Sequence, residues 1–146
     1  MTELTGTDAA ELANALRPAL LKLTRIVRQQ RVDRSVTLTE LSALGTLLIR
    51  GELTAGELAA SEQVRPPSMT KVLAGLEERG LVRRVASPTD KRQAILSITD
   101  AGRALLDEER QARNAWLARR LATLNDAQRD LLRQAAPVLA QLAEAV

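Results

Sequence analysis

The stretch VRPPSMTKVLAGLEERGLVRRVASPTDKRQAILSITDAG, Val64 to Gly102, decides how this chain folds. Its two adjacent prolines set where a helix begins. A residue that precedes proline is pushed out of the helical region, so Arg65 and Pro66 are expected outside the helix and Pro67 at its first position. Ser68, Met69 and Thr70 then carry the N–H groups without an intrahelical acceptor, which with the helix dipole suit an anion, or serve ordinary local capping. Met69, Val72, Leu73 and Leu76 share one face, and the opposite face presents Pro67, Lys71, Ala74 and Glu78, flanked by Ser68, Thr70 and Gly75. Such a small, hydroxylated surface can approach base edges closely, or can simply face solvent. Gly80 supplies the stop, and Leu81–Ala86 and Gln93–Ile98 read as two strands around the loop Ser87-Pro88-Thr89-Asp90-Lys91-Arg92. From Glu62 to Arg92 there are seven basic and four acidic residues against 14 of each elsewhere, so the whole formal excess of +3 lies here. That is the electrostatic footprint a phosphate backbone requires.

Outward from this segment the chain reads as helices. Leu12, Leu16, Leu20, Leu23 and Val27 form one stripe over Asp8 to about Arg31, with Asp8 and Glu11 resembling a capping box and Pro18 implying a kink or a two-part helix. Thr37-x-x-Glu40 opens a second helix that should stop near Gly51, and Gly51-Glu52-Leu53 leaves room for only a small strand. Thr54-x-x-Glu57 starts a short third helix. Thr99 caps a long helix from Asp100 to about Thr123, and Asn125 caps the last, whose wide stripe runs through Leu131, Ala135, Val138 and Leu142 and is interrupted by Pro137. The resulting order is helix, helix, small strand, helix, turn, helix, hairpin and two helices. Its centre is a helix-turn-helix followed by a β-hairpin wing, so the expected fold is mainly α with a small β-hairpin.

Composition removes most other functions. With 146 residues the chain has the size of one domain, without room for a second catalytic one. No Cys and no His are present, which excludes disulfides, thiol switches, thiolate metal sites and the commonest zinc and general-base chemistry. No cofactor or metal is expected. Apolar runs are far too short for a membrane span, and the polar start, Met1 to Asp8, does not look like a signal, so a cytoplasmic protein is the default. Trp116 is the only aromatic residue, which leaves no stacking platform for single strands and makes duplex DNA the better nucleic-acid partner. Basic residues are mostly arginine, which elsewhere in the chain fits a compositional bias as well as a binding surface. An enzyme would have to work with Ser, Thr, Lys and carboxylates alone, and Glu77-Glu78 and Asp107-Glu108-Glu109 read as charge runs on helix surfaces.

Three local patterns resemble the MarR family of winged helix-turn-helix transcription regulators: Thr54-Ala55-Gly56-Glu57-Leu58-Ala59, the run Leu76-Glu77-Glu78-Arg79-Gly80-Leu81-Val82-Arg83, and Asp90-Lys91-Arg92 leading into Leu96-Ser97-Ile98-Thr99-Asp100-Ala101-Gly102. Residue-level matching is confined to Leu53 through Gly102, while length and element order match throughout. The resemblance implies a single domain, 1–146, with a winged DNA-binding core at residues 37–98 and a helical dimerisation region at 8–31 and 100–146. It implies a homodimer that reads an inverted repeat in double-stranded DNA, acting as a repressor relieved by a small aromatic or lipophilic effector. A monomer whose end helices cover one another is the alternative, as is a helical interaction adaptor that kept the fold without DNA binding. Carried over residue by residue, Pro67, Ser68, Thr70 and Lys71 would lie at the major groove, with Arg65 and Ser68 on phosphates. Arg92 would enter the minor groove steadied by Asp90, with Lys91 where arginine is frequent, keeping the charge but losing bidentate geometry. A surface turn with a weak ion pair is the competing reading for Asp90 and Arg92. Leu44, Leu48, Trp116 and Arg28 are candidates for lining an effector pocket, and no ligand site is assigned.

Overall fold

The computed structural model describes residues 6–144. Six helices and three short strands follow in the order α1 (Gly6–Arg28), α2 (Leu38–Arg50), β1 (Leu53–Thr54), α3 (Ala55–Glu62), α4 (Pro66–Glu78), β2 (Val82–Ala86), β3 (Ala94–Ile98), α5 (Asp100–Leu121) and α6 (Asp126–Glu144). The chain divides at Gln30/Arg31 and Gln111/Ala112 into two compact units, the winged core Arg31–Gln111 and the helical ends.

Most helix starts follow from local chemistry. Thr37 and Thr54 each accept from the N–H three residues on while Glu40 and Glu57 reach back to their N–H, the reciprocal arrangement expected from the two T-x-x-E motifs. Asn125 and Gln128 make the same exchange at the head of α6, at 2.8 and 3.1 Å. At the head of α5 the Thr99 hydroxyl accepts from Gly102 N–H at 3.2 Å and donates to the Gly80 carbonyl at 2.6 Å, so one side chain caps α5 and fixes the end of α4. Asp8 does not cap α1: the helix already begins at Gly6 and Asp8 lies in its first turn, where it still favours the positive end of the dipole. Pro18 and Pro137 both sit inside helices that run on past them. Each is on an exposed face, where water can satisfy the carbonyl freed by the missing N–H.

Within the winged core the apolar faces of α2, α3 and α4 close over the sheet. Leu44, Leu47, Leu58, Met69, Leu73, Leu76 and Leu96 are sealed from solvent. The sheet is antiparallel in the order β1-β3-β2, with Leu53 opposite Leu96 on one side and Arg84 opposite it on the other, and Leu96 of the central strand joins the apolar cluster of the helices. Gly102 explains why the segment must read Thr-Asp-Ala-Gly: a Cβ there would stand 2.4 Å from the Leu81 carbonyl oxygen and 2.7 Å from Ile98 Cγ1. In the helical unit, by contrast, α1 and α6 contain no buried residue, and Leu12, Leu21, Leu131, Val138 and Leu142 are exposed. No helix among the described residues is long and apolar enough to cross a membrane.

Candidate nucleic-acid interface

Helix α4 begins one residue earlier than the proline rule suggests. Arg65 is the N-cap, extended at ψ 143°, and Pro66 and Pro67 are the first two helical residues. Pro66 takes the helical conformation although proline follows it, because helical bonding starts there: Met69 N–H donates to the Arg65 carbonyl at 3.0 Å and the Thr70 hydroxyl to the Pro66 carbonyl at 3.0 Å. This changes the chemistry of the helix head. Neither proline has an N–H, that of Met69 is already used, and Thr70, the fifth helical residue, is far enough in for its N–H to join the main-chain ladder, so of the expected trio only Ser68 stays in the unpaired first turn. Any grip on an anion there must come mainly from side chains.

The other end of α4 is clamped. Leu81 N–H donates to the Leu76 carbonyl at 2.9 Å and Gly80 N–H to that of Glu77 at 3.0 Å, with Gly80 left-handed at φ 70°, a close that glycine makes without steric cost. Arg79 reaches back to the loop before α2, donating from Nη1 to Ser35 Oγ at 2.7 Å and from Nη2 to the Ser35 carbonyl at 2.8 Å, with Asp33 Oδ2 at 3.9 Å. Arg84 on β2 donates to Glu77 Oε1 at 2.8 Å from Nε, with its Nη2 2.7 Å away, and so ties the wing to the helix. The turn before α4 is held by Gln63, whose left-handed φ of 54° is unusual for a residue with a Cβ.

Behind this clamp lies a residue that sequence reasoning placed on the surface. Glu109 of α5 is 1% exposed. Its Oε1 accepts from Val32 N–H at 3.2 Å and Asp33 N–H at 3.1 Å, and its Oε2 faces Arg31 Nε at 3.6 Å, an ion pair longer than a hydrogen bond. Arg31 in turn donates to the carbonyls of Asp33 and Val36. Asp33 accepts from the hydroxyl and the N–H of Ser35, and these two bonds, in that order, hold its carboxyl below its ordinary pKa of 3.8 against the effect of burial, with Arg79 and Arg31 adding to them. A continuous polar chain therefore runs from α5 through residues 31–35 to the end of α4. Its signal was readable in part, since Glu109 falls at helical spacing between Leu105 and Ala112, inside the apolar stripe. The Asp107 carboxylate, two residues earlier, does face solvent and pairs with Arg110.

At the wing tip, the Ser87 hydroxyl accepts from the N–H groups of Thr89 and Asp90, both at 3.3 Å, and Ser87 N–H donates to the Gln93 carbonyl at 3.0 Å. Asp90 Oδ1 accepts the N–H of Arg92 at 3.0 Å, so it shapes the turn through the main chain and leaves the guanidinium free. Among the described residues, Arg65, Lys71, Arg83, Lys91 and Arg92 make no ion pair, whereas Arg79 and Arg84 do. The seven cations of the segment thus divide into two that build the fold and five left available, placed on the head of α4, on β2 and at the wing tip. Of the four candidates for an effector pocket, Leu44 is sealed in the core, Arg28 and Leu48 are exposed, and Trp116 is partly open. No group of residues able to hold a metal ion occurs among the described residues.

A helix-turn-helix whose second helix is clamped from behind and followed by a cationic three-stranded wing defines a DNA-binding winged-helix protein. Residues 36–94 match the MarR family. Along most of its length the chain is similar to an uncharacterised HTH-type transcriptional regulator of Mycobacterium bovis, 45% identical over 92% of this chain and 94% of the relative. It is 33% identical to the HTH-type transcriptional repressor MdtR of Bacillus subtilis, over 77% of this chain and 70% of that one. A crystal structure of a putative transcriptional regulator from Pseudomonas aeruginosa superposes with a TM-score of 0.82 at 32% identity, covering 96% of this chain and 98% of the other. The chain belongs to the MarR family, whose members are transcriptional regulators and not enzymes.

Proposed function

We propose that the protein is a homodimeric repressor that reads an inverted repeat in double-stranded DNA, with one α4 and one wing on each half-site. The observation that carries this reading is the division of the cations: those that would face DNA are unpaired, while Arg79 and Arg84 hold α4 in place. Pro67, Ser68, Thr70 and Lys71 line the exposed side of the head of α4 and would meet base edges in the major groove, with Arg65 and Ser68 on phosphates. Arg92, presented on a turn that Asp90 preorganises, would enter the minor groove beside Lys91. The dimer is supported by α1 and α6, two long helices with exposed leucines and no buried residue, because such apolar stripes need a cover and a two-fold partner supplies one. The repressor role follows the similarity to the Bacillus subtilis repressor MdtR, and relief by a small aromatic or lipophilic ligand follows the family resemblance.

Titration of the DNA upstream of the protein's own gene, followed by fluorescence anisotropy at several salt concentrations, tests the proposal. Affinity should fall linearly on a log–log plot, and Arg92→Ala should flatten the slope by about 2 for a dimer, at about 0.9 per phosphate charge in each half-site. Equal affinity for that DNA and for random duplex would refute the function. An unchanged slope in the variant would refute the role of Arg92.

A further inference from the structure

Helix α4 is short of hydrogen-bonding side chains. It contains no Arg, Asn or Gln, so that of the side chains able to pair bidentately with a purine edge only Lys71 is present, and the guanidinium at its end, Arg79, is bound to Ser35. Its exposed face runs Pro67, Thr70, Lys71, Ala74 and Glu78. Pro67 has no donor and Ala74 offers only a methyl group. Thr70 has a single hydroxyl proton, and that proton is committed to the Pro66 carbonyl at 3.0 Å, so a base would meet the side chain through its methyl group or its oxygen lone pairs. Lys71 is left as the one cation on this face, with Ser68 at its edge. Among the four bases, only thymine presents an apolar group in the major groove.

We infer that α4 recognises thymine methyl groups through Thr70 and Ala74, with Lys71 contributing the single charged contact beside them. This deepens the proposed function and rests on it. Thr70 and Ala74 are one helical turn apart, about 6 Å along the axis. Base pairs rise about 3.4 Å each, so two thymines at neighbouring or next-neighbouring steps of each half-site would be in reach. The operator is then a thymine-rich half-site read by shape and contact at those steps, not by a donor–acceptor code.

The test replaces each thymine of the footprinted operator by deoxyuridine, which deletes the methyl group and keeps every hydrogen-bonding atom. One or two positions per half-site should lose about fourfold in affinity, and about fifteenfold when both half-sites are changed, from a methyl worth about 0.8 kcal/mol. Thr70→Ser, which keeps the hydroxyl and removes the methyl, should erase the uracil penalty at one position. Thr70→Val, which does the reverse, should retain it. Sequence-specific binding with no uracil penalty anywhere would overturn the inference and leave the DNA-binding function standing. A penalty erased by Val but kept by Ser would also overturn it, by assigning the contact to the hydroxyl oxygen. Loss of all sequence preference would instead mean that the proposed function itself is wrong.

Discussion

Replacing Glu109 by alanine tests the packing of the winged core most severely. The carboxylate is the acceptor for two main-chain N–H groups, those of Val32 and Asp33, and the counter-charge of Arg31, whose side chain is itself only 9% exposed. Alanine leaves all three without it. An orphaned buried donor costs about 1–3 kcal/mol, and breaking a buried ion pair by removing one partner about 3–5 kcal/mol. These costs overlap, because relaxation that lets water reach Arg31 also reaches the two N–H groups, so a loss of about 3–5 kcal/mol is expected, a large share of the about 5–15 kcal/mol of a typical domain. Glu109→Gln keeps one carbonyl oxygen for both N–H groups but turns an amide toward Arg31, and should lose less, about 1–3 kcal/mol. Urea unfolding at fixed protein concentration, followed by Trp116 fluorescence, measures both variants. If the alanine variant unfolds within about 0.5 kcal/mol of the parent, the range of an ordinary surface substitution, the buried network contributes nothing and the reasoning fails.

Four further outcomes are expected. Gly102→Ala should cost about 1–3 kcal/mol, since the Leu81 main chain in its path cannot swing aside as a side chain would, and an unchanged melting temperature would contradict the close approach. Gln63→Gly should raise stability by up to about 1 kcal/mol by relieving the left-handed backbone at that turn, which thermal unfolding would record; a loss would mean that the side chain matters more than the strain. Because the folded Asp33 carboxyl titrates below its ordinary 3.8, its contribution is present above that pH and disappears as pH falls through the lower folded value. Melting curves between about pH 2 and 5 should therefore fall more steeply for the parent than for Asp33→Asn, and parallel curves would count against the Ser35 bonds. Leu131→Glu with Leu142→Glu should halve the mass measured by light scattering, and an intact dimer would move the interface away from α6.

What the sequence disclosed, and what it withheld, follows from the range of the interactions concerned. Caps at Thr37, Thr54, Thr99 and Asn125 were legible because each is decided within three residues, and the stop at Gly80 because only glycine closes that turn cheaply. The small strand followed from the short gap between the stop at Gly51 and the next capping box, though it forms at Leu53–Thr54, and the hairpin followed from two β-rich runs around a charged loop. The starting residue of α4 was misplaced by one, since a preference of Pro66 against the helix was weaker than the bonds that begin there. Glu109 was misread because its partners lie 76 and 77 positions away, and Arg79 likewise meets Ser35 across 44 residues. Charge in an apolar stripe was the available clue, and it pointed to burial with a partner more than to a solvated run.

The two prolines have consequences at opposite scales. Locally they start α4 and remove the N–H groups from its head, so an anion site built from main-chain donors is nearly dismantled. In the proposed complex attraction to phosphate must then come from side chains, and the five cations without an ion pair are available for it. Base discrimination must also come from side chains, and α4 offers only Lys71 for bidentate pairing. Both requirements are met only if the helix is held rigidly enough for small groups to meet the groove in register. Arg79 on Ser35, Arg84 on Glu77 and the buried Glu109 behind them provide that rigidity, which accounts for arginines spent on the scaffold in a segment that otherwise keeps its cations free.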